Sequence, residues 1–437
     1  MKPSLRRLFT NGSYLFGGSA AAMGLALLQT LILARTLGPA EFGIWSGVQA
    51  YVLVAYSLCT FRTSEPVTRY LVEFREKRDQ GLMELLLGSA LATEVATRVL
   101  ALVVIAASVP WLARELPGGA AAIPLYLLIG TMQVCAVFDQ VWFSVARDLG
   151  RYRAIAALNT AFPLMRVGGL AALLALGQLS LLSAGWLMAI TGALQAVLTG
   201  GYLFAAMTGG YGVGLGAMAR SGIIARRREL AAFWGFMGAT FLWSICSSMI
   251  KEADTLVLGF FRTAEEVGWY RLAKSLAATV MRVGEMLSQV IYQDFSELVV
   301  RQDLAEVRRR VVLLCRTWLP LVAAGTLVGI LVARPVLVLV FGAAFEPSVL
   351  PFQILLVASG FVTMVFWVRP IVLALELYWY NFRITVVQGL LLLPLNVVMC
   401  QHYGMLGATL TLALAWIAGY AALLWPAARR LTADACR

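Results

Sequence analysis

Apolar runs of about twenty residues, each long enough to cross a hydrocarbon core of roughly 30 Å, recur from one end of the chain to the other. Few features constrain a fold so tightly, because a segment that crosses lipid must satisfy its backbone N–H and C=O groups internally. A helix does so within one segment, so a chain built of such runs is an all-α, polytopic membrane protein. Composition agrees. Of 437 residues, 60% are hydrophobic and only 13% are charged, too little polar cover for a water-soluble globule of this length.

About twelve spans are expected, at roughly 13–34, 43–61, 84–112, 123–145, 154–176, 182–206, 232–258, 267–293, 311–333, 348–375, 384–400 and 405–426. The segment 335–346 (PVLVLVFGAAFE) is too short to span and is expected as an interfacial or partly inserted piece before the tenth helix. The first run follows Lys2, Arg6 and Arg7 but continues to full spanning length without a small-residue cleavage site, so a span is expected there rather than a signal peptide. One set of loops holds 23 of the 35 Lys and Arg residues, and the alternate set holds only Arg35, Arg114, Arg262 and Arg334. That asymmetry predicts that both termini are cytoplasmic. The net charge of +12 is thereby a topology signal, and no nucleic-acid partner is expected.

Between the sixth and seventh spans runs MTGGYGVGLGAMARSGIIARRREL, Gly-rich and then basic. Such a stretch reads as a cytoplasmic linker, 207–231, between an N-terminal six-helix lobe, 1–206, and a C-terminal one, 232–437. The halves also resemble each other: LARTLGPAEFGIW at 33–45 and LGFFRTAEEVGWY at 258–270 align with an offset of 225, pairing Gly43 with Gly268 and Trp45 with Tyr270. With an even number of spans on each side, this is a parallel repeat about an axis along the membrane normal.

The charges inside the spans come next. A charged side chain at bilayer depth costs about 2.5–3.5 kcal/mol on insertion scales, so such residues normally face a bundle interior or a watery cavity. On the seventh span Thr240, Ser244, Ser247, Ser248, Lys251 and Thr255 share one helical face, and on the eighth Arg271, Lys274, Arg282, Glu285 and Gln289 do the same. Together with Arg98 and Arg166, these give a mostly positive wall. Of these, Arg282, Lys274, Arg271, Lys251, Arg98, Arg166 and Gln289 are the candidate cargo-binding residues. Blander readings stand beside them. Arg271 begins its span and can snorkel, while Glu94–Arg98 and Arg282–Glu285 can be intrahelical ion pairs. Asp254, Asp139, Glu94 and Glu285 are the candidates for a coupling proton or sodium ion, although Glu252 or Asp254 can instead pair with Lys251 or Lys274. Pro163, Pro320, Pro370 and Pro394 are expected to kink their spans.

No nucleotide loop, nucleophile–His pair or metal constellation is present in the sequence. The six cysteines are scattered without a C-x-x-C, and His402 is the sole histidine. No cofactor, metal or enzymatic activity is expected.

ARTLGPAEFG at 34–43 resembles the first-loop pattern of the oligosaccharide flippases of bacterial polysaccharide synthesis. DTLVLGFF with EEVGWY at 254–270, VLVLVFGAAF at 336–345 and HYGMLGA at 402–408 agree with that family in order and spacing. The resemblance implies the fold shared with the multidrug and toxin exporters, and a place in the bacterial inner membrane. It also implies an undecaprenyl diphosphate-linked oligosaccharide as cargo, with membrane lipids and other polysaccharide assembly proteins as candidate partners. A multidrug exporter on the same fold is the alternative, and an integral membrane glycan enzyme a more distant one.

Overall fold

The computed structural model describes residues 3–112, 114–214, 230–301, 303–375 and 377–433, and every regular element among them is helical. The first half runs α1 (Pro3–Cys59), α2 (Ser64–Glu76), α3 (Gln80–Leu112), α4 (Ile123–Cys135), α5 (Asp139–Asp148), α6 (Tyr152–Ala175) and α7 (Leu181–Tyr211). The second runs α8 (Ala231–Phe261), α9 (Ala264–Val300), α10 (Leu304–Phe341), α11 (Val349–Met364), α12 (Val368–Ala374) and α13 (Tyr378–Ala433). Among the described residues nine helices are long and apolar enough to cross a membrane. Two of them, in α1 and α13, are each interrupted at a glycine with positive φ, Gly38 (72°) and Gly404 (55°). A left-handed backbone of this kind strains any side chain. Helix α9, expected as the eighth span, is not among the nine; its in-span charges dilute an otherwise apolar sequence. Much of the apolar surface faces outward, as at Leu176, Val197, Leu313, Leu331, Leu339 and Leu390, which suits lipid rather than water.

Two expectations are corrected. Residues 335–341 are the last turns of α10, not a separate interfacial piece, and a 3-10 helix follows at Ala343–Ser348. Pro335 sits inside α10. The basic stretch after the second span is not a plain loop: α2 is an amphipathic helix that buries Val67, Tyr70, Leu71 and Phe74 at helical spacing. Pro163, Pro320, Pro370 and Pro394 lie within helices, and non-helical backbone inside a helix falls at the two glycines.

The chain packs as two compact units. The first comprises 1–32 and 48–248, around a core that includes Leu71, Leu86, Val141, Val145, Leu203 and Phe233. The second comprises 33–47 and 249–437, with one cluster around Tyr270, Leu355 and Leu412 and another around Phe295, Phe366 and Ile371. The proposed linker 207–231 falls mostly outside the described residues. Element order repeats. The starts of α3 to α7 at 80, 123, 139, 152 and 181 are answered by 304, 349, 368 and 378, and by the helical stretch after Gly404. Each lies close to the 225-residue offset read from the glycines.

Candidate functional site

Two interruptions of helix shape the first unit. The chain leaves α1 after Cys59 and re-enters helix only at Ser64, and a 3-10 turn at Ala136–Phe138 separates α4 from α5. Both breaks border an open cavity of about 580 Å³ whose polar lining includes Arg62, Arg98, Asp139, Asn159 and Gln195. Trp142, Phe143 and Phe162 supply aromatic wall. Arg62 lies 5.0 Å from the Trp243 ring centroid and pairs with Glu65 at 2.7 Å.

Beneath that lining lies a polar network. Glu94 and Arg98, one turn apart on α3, form the expected intrahelical pair at 2.9 Å and are buried. Arg98 also donates to the Gln133 carbonyl at 2.6 Å, and Thr63 donates to Glu94. The Gln195 amide joins a second acid and base: its Nε2 donates to Asp139 Oδ2 at 2.6 Å and its Oε1 accepts from Arg166 at 3.1 Å. Asp139 Oδ1 and Arg166 Nε are buried and have no hydrogen-bond partner among the described residues. Arg98 and Asp139 thus come together on one cavity, with Glu94 and Arg166 behind them.

The second unit arranges its charges differently. Lys274 reaches from α9 to Asp254 on α8 at 2.7 Å, and Tyr270 donates to the other carboxylate oxygen at 2.5 Å. The Thr255 N–H donates to Asp254 as well, and Lys274 also donates to the Lys251 carbonyl. Arg271 meets Glu252 at 2.7 Å, with only 17% of its side chain exposed. Arg271 is therefore an ion-paired group rather than a snorkelling one. Lys274 and Asp254 satisfy each other in a buried cluster. Lys251, Arg282 and Glu285 are exposed on the protein surface, and no ion pair joins Arg282 to Glu285. The side chain of Gln289 lies outside the described residues.

Sequence reasoning singled out formal charges inside spans and so passed over Arg62, Thr63 and Gln195. Arg62 follows the expected span 43–61 and in sequence is one of the loop cations; the break between Cys59 and Ser64 brings it to the cavity. Gln195 was visible as a polar residue amid the apolar sixth span.

The fold repeats, but these charges do not. Residues 11–34 and 42–60 contain no Lys, Arg, Asp or Glu, although they correspond to the stretches of α8 and α9 that carry Lys251, Glu252, Asp254, Arg271, Lys274, Arg282 and Glu285. Likewise 317–333 of α10, the counterpart of the Glu94–Arg98 region, is uncharged. Each half builds the same helices without the other's charges. The charges are therefore not required by the architecture, and intramembrane ionisable groups of that kind point to function.

Comparison with known proteins agrees on fold and family. Residues 8–299 match the family model of polysaccharide biosynthesis proteins. No curated protein matches the sequence. Solved structures that resemble the chain include the inward-facing form of a multidrug resistance MATE family transporter of the MOP superfamily, with a TM-score of 0.72 at 13% identity over 94% of this chain and 95% of that one. The lipid II flippase MurJ, in an inward closed conformation, also gives 0.72 at 13% identity over 94% and 87%. A MOP superfamily transporter from Pyrococcus furiosus gives 0.65 at 12% identity over 98% and 96%. At such identities the likeness carries the fold alone. With the family model spanning well over half its length, the chain belongs to the polysaccharide biosynthesis protein family and has the multi-pass fold of the MOP-superfamily transporters.

Proposed function

We propose that this protein is a flippase that moves undecaprenyl diphosphate-linked oligosaccharide units across the bacterial inner membrane, with both termini cytoplasmic. The observation that carries this reading is the cavity of the first unit. It presents two guanidinium groups, Arg62 and Arg98, beside Asn159, Gln140 and Gln195 and the rings of Trp142, Phe143 and Phe162. Guanidinium groups match phosphate oxygens with charge-assisted and often bidentate hydrogen bonds. Amides and aromatic faces suit sugar hydroxyls and sugar ring faces. The family match to polysaccharide biosynthesis supports the same class of cargo.

Transport proceeds by alternating access between the two halves of the repeat, as in other folds built on internal repeats. In the second unit Arg282, exposed on α9 and with no ion pair among the described residues, is a candidate contact of its own for the anionic part of the cargo. A multidrug exporter is the competing reading, and one experiment separates them. Deleting the gene in its host is expected to remove surface polysaccharide and accumulate lipid-linked oligosaccharide in the inner leaflet. A change in drug sensitivity with polysaccharide intact overturns the proposal.

A further inference from the structure

We infer that Asp139 is a resident counter-anion of the first-unit cavity, which takes up a proton when an anionic cargo enters. This rests on the reading of the cavity as a site for a lipid-linked diphosphate and states how that site is regulated.

Asp139 and Arg98 line the same cavity. Around them the charged groups that face Asp139 are Glu94 and Arg98 from α3 and Arg166 from α6, while α7 contributes the neutral Gln195. Arg62 lines the cavity as well, but Glu65 already stands against it at 2.7 Å. The inner network therefore holds two acids and two bases, and it is neutral while Asp139 is ionised. A neutral site has little to offer a dianionic diphosphate. Protonation of Asp139 leaves the network with one net positive charge on the wall where phosphate oxygens would meet Arg98.

The bonding of Asp139 fits this role better than a structural one. Glu94 is closed off, its two oxygens taken by Arg98 and Thr63. Asp254 in the second unit is closed off by Lys274, Tyr270 and the Thr255 N–H. Asp139 has one oxygen on Gln195 and the other buried with no partner among the described residues, and Arg166 Nε is left in the same state. Buried polar atoms are nearly always satisfied, so such an exception calls for a reason. A carboxyl that must change protonation, and a guanidinium whose charge must become available, give one. The step is balanced: one proton passes from solvent to Asp139 as the anion binds, and returns when it leaves. Linkage makes the two events reciprocal, so affinity for the anion rises as pH falls, by at most about tenfold per pH unit for one proton.

The test uses the full chain in lipid nanodiscs and a short-chain prenyl diphosphate sugar. That probe is a diester of diphosphate, whose two charges do not titrate between about pH 5 and pH 8. Its affinity for the wild type should rise as pH falls, with uptake of up to one proton per molecule bound in weakly buffered solution. Asp139→Asn, which is isosteric and can still accept from Gln195, should bind the probe tightly across the range with no proton uptake. Asp139→Glu should restore the pH dependence. Equal pH profiles for wild type and Asp139→Asn overturn the inference, as does a folded Asp139→Asn protein that no longer binds. Proton uptake by the wild type needs no variant, so its absence on binding is decisive even if Asp139→Asn fails to fold. If the probe binds neither protein at any pH, the diphosphate reading of the cavity fails, and the counter-anion role goes with it.

Discussion

Gly43 and Gly268 lie back to back in the second unit: a Cβ on Gly43 would stand 1.7 Å from the Ala264 carbonyl oxygen, and one on Gly268 would stand 2.1 Å from that of Pro39. The two residues that the 225-residue offset pairs in the sequence are thus packed against each other. Each glycine lets the other's helix approach to backbone contact.

A methyl group at either place must push backbone apart, because no flexible side chain is there to yield. Gly268→Ala should destabilise the protein by about 1–3 kcal/mol or more and lower its melting temperature in detergent. Gly47→Ala is the control, since nothing lies within 4 Å of a Cβ there. Equal melting temperatures for the two variants would show that the contact contributes nothing.

The sequence motifs that carried the family resemblance are the parts of the fold most legible in advance, and the structure shows why. Phe42 packs edge-on against Phe345 at 6.2 Å, Trp269 donates to the Ala344 carbonyl at 2.8 Å, and the Met405 N–H donates to Glu266 at 3.1 Å. Arg262 reaches the Gln401 carbonyl at 3.1 Å. All four motifs meet in the second unit, so their joint presence reports one local packing problem. The cavity was less legible. Gln195 with Asp139, and Thr63 with Glu94, are contacts between helices far apart in sequence. Periodicity places a residue on a face but does not say which helix that face meets. In sequence the polar faces of α8 and α9 make one open wall. In the structure the acids of α8 absorb Arg271 and Lys274 and leave Arg282 out.

The Lys274–Asp254 pair is expected to be structural. Lys274→Met leaves a buried carboxylate without its counter-ion and should cost about 3–5 kcal/mol. The double variant Lys274→Met/Asp254→Asn removes both charges and should melt near the wild type and export normally. Loss of export by a double variant of normal stability would return Asp254 to the coupling-ion candidates.

Topology follows from the basic residues. In a background without native cysteines, Gln80→Cys should label only from the cytoplasm and Glu115→Cys only from outside. Both side chains are exposed, so access to reagent depends on the membrane and not on burial. Labelling of position 80 from outside reverses the orientation.

Arg282 carries the last prediction. It falls near the middle of the expected span 267–293, where either membrane surface lies roughly 15 Å away in a ~30 Å core and snorkelling is hard. Glu285 is one turn along, yet no ion pair joins them, and both side chains are exposed on the protein. An unpaired guanidinium directed at hydrocarbon carries a heavy insertion penalty, so its surroundings in the membrane must be polar. If it contacts the anionic part of the cargo, Arg282→Ala should abolish polysaccharide export while the protein remains in the membrane at normal level. Arg282→Lys should rescue only in part, because an ammonium is a point charge and does not reproduce the bidentate fork. Glu285→Gln should leave export near normal, since no bond to Arg282 is lost. The measurement is exported polysaccharide normalised to membrane-inserted protein. Full export by Arg282→Ala removes this residue from the candidate cargo-binding residues.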